Sequence, residues 1–155
     1  MVATESSSGG KPRARSAARL AAVQALFQCD RSGDRPALVV RQFLDSRLGE
    51  EIDGFKPAPA DRDFFADLVT GVSARQAELN QAIASHLAAS WRLERVDPLL
   101  LAILRAGGYE LAARPDVPTA TIINEYVNVA HAFYEGAEPK FVNGILDKLA
   151  RAAGR

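Results

Sequence analysis

The stretch Asp97-Pro-Leu-Leu-Leu-Ala-Ile-Leu-Arg-Ala-Gly-Gly-Tyr-Glu-Leu111 decides the fold class. Asp followed by Pro is a helix start. The carboxylate can accept from the first free N–H groups, and Pro at the first helical position gives up an N–H that would have no partner there. The run that follows is apolar on nearly every side, so this helix belongs at the centre of a bundle of others. Gly107 and Gly108 lie inside it. Each costs about 1 kcal/mol against Ala in a helix, a cost that the close approach of a neighbouring helix offsets.

Working outward, Pro115 and Pro118 close a turn, and Thr119 or Thr121 is expected to cap a helix running through Tyr134. Glu138-Pro139 opens a last helix ending near Ala153. On the other side, Asp61 is the expected cap of a long helix carrying Phe64, Phe65, Leu68, Val69 and Val72. Its periodicity continues through Leu79, Ile83 and Leu87, with a break near Gly71. Gly49 to Ala60, with Gly54, Pro57 and Pro59, reads as an irregular connector, and Pro36 starts a helix reaching about Leu48. Arg13 to Asp30 is Ala-rich, with Leu20, Val23 and Phe27 along one face, and Arg31-Ser-Gly-Asp34 stops it. Residues 1–12 are rich in Ser and Gly and read as a disordered tail, which leaves 13–155 as the folded domain. No stretch alternates as a half-buried strand does. Six or seven helices with short connections give an all-α bundle, with two sub-bundles expected to join near Trp91.

Composition fits this reading. A chain of 155 residues, 48% hydrophobic and 25% charged, fits one globular domain that needs neither a metal nor a disulfide to hold it. Nineteen bases against nineteen acids exclude a basic field over the whole protein. The distribution is uneven, however. Lys11, Arg13, Arg15 and Arg19 fall in a stretch without acids, whereas Asp45 to Asp67 is acid-rich. Cys29 is the only cysteine and has no partner for a disulfide, which fits a reducing compartment. The N-terminus lacks the apolar core of a signal peptide, and no window approaches the ~18 apolar residues of a membrane span. A cytoplasmic protein away from membranes is expected.

Chemistry is sparse. His86, His131 and Cys29 do not supply the three or four soft ligands of a zinc site, and the glycines form no phosphate-cradling loop. Asp61-Arg-Asp63 looks like a carboxylate pair but lies at a helix start, where acids favour the macrodipole. Neither a cofactor, a metal nor a catalytic constellation is called for, so the chain reads as a binding protein and not an enzyme.

Three segments carry binding information. Lys11 to Arg19 places Arg15 and Arg19 on one side of a helix, where arginines can neutralise phosphates and stack on bases; the alternative is a solvated helix face. Ile122-Ile-Asn-Glu-Tyr126 puts Glu125 where it could pair with Arg105 and fix helix packing, a structural role favoured over a functional one. Lys140-Phe-Val-Asn-Gly144 sets an aromatic ring beside a cation and an amide. That trio can contact a phosphate, stack on a base and bond a base edge, although a core Phe beside a surface Lys is the plainer account.

Taken in order, these segments resemble the NusB family of bacterial transcription antitermination factors. The likeness runs from Arg13 to Leu149. It rests on Arg15-x-x-x-Arg19 with Ala22-Val-Gln-Ala-Leu-Phe27, then Gly71-Val72, then Ile103-Leu-Arg105 leading to Tyr109-Glu-Leu111. Pro118 before Ile123-Asn-Glu125 and Lys140-Phe-Val-Asn-Gly-Ile-Leu-Asp147 complete it. The resemblance implies two packed three-helix sub-bundles forming one domain. It also implies binding of the boxA element of ribosomal RNA leader transcripts together with NusE, a ribosomal protein, within the antitermination complex on RNA polymerase. Carried over, Lys11, Arg13, Arg15 and Arg19 match the family's RNA-contacting N-terminus, and Lys140, Phe141 and Asn143 match the region bordering the RNA. Phe133 lies near that surface, and Gln24 belongs to the first-helix motif. Phe27, Leu100 and Arg105 are the expected partner-facing residues. Ser16 and Ala17 stand where some relatives carry arginines, which implies weaker RNA binding by this chain alone. Gly107-Gly108 replaces larger residues.

Two rival readings follow from the same resemblance. One is a fragment of an RNA cytosine methyltransferase, some of which carry a NusB-like domain; the chain stops at Arg155 without a methyl-donor loop, which argues against it. The other is a protein-only adaptor or homodimer, which zero net charge permits.

Overall fold

The computed structural model describes residues 2–47 and 60–155, with side chains over 10–45 and 60–155. The described residues form helices α1 (Val2–Ser32), α2 (Pro36–Gln42), α3 (Arg62–Ala74), α4 (Gln76–Ser85), α5 (Pro98–Ala113), α6 (Thr119–Phe133) and α7 (Glu138–Ala152). A π-helical turn over Phe43–Arg47 and a 3₁₀ turn over Leu93–Arg95 are the only other regular elements among them. The fold is all-α, as the periodicity predicts. Most of the connector expected over Gly49–Ala60 lies outside the described residues.

The chain divides into two compact units, Met1–Thr70 and Gly71–Arg155. The division falls within α3 and not near Trp91, where the sequence suggested a junction. In the first unit, Ala18, Ala21, Ala22, Val23, Ala25 and Leu26 form the buried stripe of α1. Small side chains in that stripe leave room for its neighbours. Val39, Val40 and Phe43 add to this core, and Phe43 stacks on Phe65 of α3 with centroids 5.6 Å apart. The helical backbone of α1 begins at Val2, which differs from the tail expected over 1–12. Residues Gly10 to Arg13 are exposed, and the buried stripe of the helix starts at Ala18. The helix expected from Pro36 to Leu48 shifts to π-helical form at Phe43.

In the second unit α5 is the central helix. Leu100 to Leu111 are buried without exception, and α4, α6 and α7 all pack on it. The two glycines allow this. A Cβ on Gly107 would stand 2.9 Å from Leu146 Cδ1 and Cδ2 of α7, and one on Gly108 would meet Leu149 and Leu79 at 3.4 Å. Gly71 has a similar task. Any side chain there would run into the ring of Tyr109, so this glycine makes room and does not break the helix. The break comes at Arg75, whose N–H reaches back to the carbonyls of Gly71 and Val72.

Asp97 caps α5 as expected, its Oδ1 accepting from Leu99 N at 3.0 Å. Asp61 caps α3 in the same way, accepting from Phe64 N at 3.0 Å. The expected threonine cap of α6 is absent: Pro118 holds the cap position, its fixed φ leading directly into Thr119. Within the unit two polar contacts lie in apolar surroundings. Tyr126 Oη donates to Glu110 Oε1 at 2.7 Å, and Arg105 Nε donates to Asn80 Oδ1 at 2.8 Å. Such groups stay buried at low cost because they are partnered.

Candidate nucleic-acid interface

The basic start of α1 splits into two parts with different surroundings. Lys11 and Arg13 are exposed. Arg15 is partly buried, its guanidinium 4.9 Å from the centre of the Phe64 ring and its Nε 3.9 Å from Asp61 Oδ2. Asp61 N also donates to Ala14 O at 2.9 Å, so one residue caps α3 and ties it to α1. Arg19, expected to contact RNA, is held away from solvent. It is 2% exposed, and its guanidinium also lies over Phe64, at 5.0 Å. One aromatic ring takes both cations, and one helical turn carries Arg19 out of solvent.

The second segment lies where α5 and α7 begin. Lys140 and Asn143 are exposed on the first turns of α7, and Phe141 between them is half-buried. Trp91, 53% exposed, stands with its ring centroid 6.5 Å from that of Phe141 and tilted by 34°. The two rings line a half-open cleft of about 380 Å³ whose floor includes Val96 and Leu100 and whose polar groups come from Arg95, Asp97 and Glu138. Asp97 is fully engaged: besides capping α5, its Oδ2 accepts from Tyr134 Oη at 2.9 Å. Burial first, and then that hydrogen bond, pushes the Tyr134 phenol above its ordinary value.

The other expected residues are scattered. Phe133 is 38% exposed at the end of α6, and Gln24 is exposed on α1. Phe27 is half-buried, with Arg31 5.9 Å above its ring. Leu100 and Arg105 are both 8% exposed, so the partner-facing role expected of them has little surface to act through. An apolar helix start and the Asn80 hydrogen bond hold them in the second unit. Trp91 is absent from the residues the sequence singles out for binding. It is the single tryptophan of the chain, in a stretch without helical periodicity and followed by Arg92, Glu94 and Arg95, and that setting was the available signal. Among the described residues no group of three or more His, Cys, Asp or Glu is gathered to hold a metal ion. No described helix is long and apolar enough to cross a membrane.

Two helical units, one opening on a basic helix and the other carrying an aromatic cleft, define an all-helical protein with two candidate binding surfaces. The sequence pattern of the NusB family matches residues 16–151, and the chain belongs to that family. It is 50% identical over 146 residues to the transcription antitermination protein NusB of Caulobacter vibrioides, covering 94% of this chain and 98% of that one. It is 49% identical over 149 residues to the corresponding protein of Maricaulis maris, covering 96% and 93%. Its fold is similar to a chain in a crystal structure of antitermination factors NusB and NusE in complex with dsRNA. The TM-score there is 0.72 at 22% identity, covering 90% of this chain and 98% of that one.

Proposed function

We propose that this chain is a transcription antitermination factor that binds the boxA element of ribosomal RNA leader transcripts together with NusE. In this reading the pair joins the antitermination complex on RNA polymerase, in the cytoplasm, and supports transcription through long ribosomal operons. The observation that carries it is identity of 50% over nearly the whole length of an antitermination protein. The exposed cations Lys11 and Arg13 and the trio of Lys140, Phe141 and Asn143 support it, because they supply phosphate contacts, a stacking ring and an amide. Arg15 acts through its outer nitrogens, and Arg19 serves to position that part of α1. No reaction is proposed, since binding RNA and a protein partner requires none.

The test is fluorescence anisotropy of a labelled boxA-type RNA against a scrambled control, with and without the organism's NusE, at fixed salt. Selective binding strengthened by NusE is the expected result. Equal, weak binding to both RNAs in both conditions would overturn the reading and favour a protein-only adaptor. Self-association is checked alongside by measuring mass in solution, alone and with RNA.

A further inference from the structure

We propose that Trp91, with Phe141, forms a stacking subsite that takes one unpaired base of the bound RNA. The inference rests on the RNA-binding reading above and adds to it a residue and a cleft. Four observations converge on it. Trp91 leaves 53% of its surface open, room against which another flat ring can pack. Phe141 lies beside it at 6.5 Å, giving the cleft an aromatic wall of two rings. The space, about 380 Å³, falls in the range of small-ligand sites, and its lining is apolar apart from a few polar groups. Finally, the exposed Lys140 and Asn143 flank Phe141 on the same helix, where a phosphate and a base edge would need them.

The charges set the orientation. Asp97 and Glu138 line the cleft and repel phosphate, so the base enters and the backbone stays outside, near Lys140. Both oxygens of Asp97 already accept hydrogen bonds, from Leu99 and Tyr134, which leaves Glu138 and Arg95 as the groups to meet the edge of the base. An aliphatic anchor from a protein could fill the same volume. It would gain little from two aromatic faces, whereas every base has a π-face that stacks on them.

Trp91 is the only tryptophan, so its fluorescence reports on the cleft alone. The full chain is titrated with single-stranded boxA-type RNA, with and without NusE, following labelled-RNA anisotropy and tryptophan emission together. Emission is expected to be quenched in step with anisotropy. Trp91→Leu, which keeps an apolar side chain but no ring, is expected to weaken binding by about tenfold to a hundredfold. Its slope of log affinity against log salt should match the wild type, because no phosphate contact is lost. Trp91→Phe should recover most of the affinity. Helicity by circular dichroism and the unfolding midpoint show whether each variant is folded. Saturating RNA that leaves the emission unchanged, or a folded Trp91→Leu that binds as the wild type does, overturns this inference alone. Emission that responds only to NusE assigns the cleft to a protein and also overturns it. A wild-type chain that binds no RNA overturns the functional reading and this inference together.

Discussion

A Cβ built on Gly107 would stand 2.9 Å from both terminal carbons of Leu146, a side chain with no exposure of its own. Tyr126, also fully buried, lies 3.3 Å from the same point, so the added carbon meets buried side chains on two helices. Gly107→Ala is therefore expected to destabilise the protein. Overpacking costs about 1–3 kcal/mol, against a helix-propensity gain of about 1 kcal/mol. Gly108 is the control, because its nearest contacts at 3.4 Å are ordinary ones. Gly108→Ala should leave stability unchanged or raise it by up to about 1 kcal/mol. The denaturant midpoint of Gly107→Ala should fall below that of Gly108→Ala; equal shifts would refute this account of the glycine pair.

The basic helix start invites a second contrast. Lys11 and Arg13 are exposed, whereas Arg19 is buried over Phe64. Replacing Lys11 and Arg13 together by Ala should lower RNA affinity and flatten its salt dependence by about 1.4 in log–log slope, about 0.7 for each phosphate contact on a single strand. Stability should not change. Arg19→Ala should do the reverse first: it removes a buried cation from the α1–α3 contact and lowers the unfolding midpoint. If Arg19→Ala leaves stability untouched while weakening RNA binding, its positioning role is wrong.

Much of the fold could be read along the chain, and the reasons are local. Asp61 and Asp97 declare themselves as caps because capping needs only one oxygen near the start of an apolar run. α5 declares itself as central because its sequence has no polar face. The breaks were less legible. Gly71 looked like a helix break and is instead a notch for Tyr109, a residue 38 positions away, and only packing shows this. The candidate site was harder still. Spacing puts Arg15 and Arg19 on one helix face but cannot say that Phe64 waits on that face. Trp91 acquires meaning only when folding sets it beside Phe141.

Glu110 is fully buried, and one of its oxygens accepts the Tyr126 hydroxyl at 2.7 Å. Tyr126→Phe keeps the ring and deletes that donor. A buried hydrogen bond is lost with it, so a loss of about 1–3 kcal/mol is expected. Removing both polar ends, by Tyr126→Phe with Glu110→Leu, should cost less than the two single changes summed. A strictly additive double-mutant cycle would show that the pair is not coupled.

Asp61 joins two elements of the first unit, through its Oδ1 to Phe64 N, its N–H to Ala14 O and its Oδ2 near Arg15. Asp61→Ala keeps the backbone bond and loses the cap, an expected cost of about 1 kcal/mol. Most of that should return in Asp61→Ser, which caps but cannot pair with Arg15. If Ser recovers nothing, the ion pair and not the cap holds the two helices.

Tyr134 gives a pH-dependent test. Its hydroxyl donates to Asp97 Oδ2, and burial with that bond raises its pKa above the ordinary tyrosine value. A raised pKa in the folded state means that the neutral form is the one folding favours. The contribution to stability is thus fully present below the unfolded value of about 10 and is lost as pH climbs from there toward the folded value. Tyr134→Phe should cost only about 0.5 kcal/mol at neutral pH, since the bond meets solvent. Above pH of about 10 the wild type should lose stability faster than the variant, so the gap between their denaturant midpoints closes. Asp97 remains as the cap of α5 in both proteins, so the difference isolates the phenol. A gap that stays constant through the alkaline range would mean that Tyr134 titrates alike in the folded and unfolded chain.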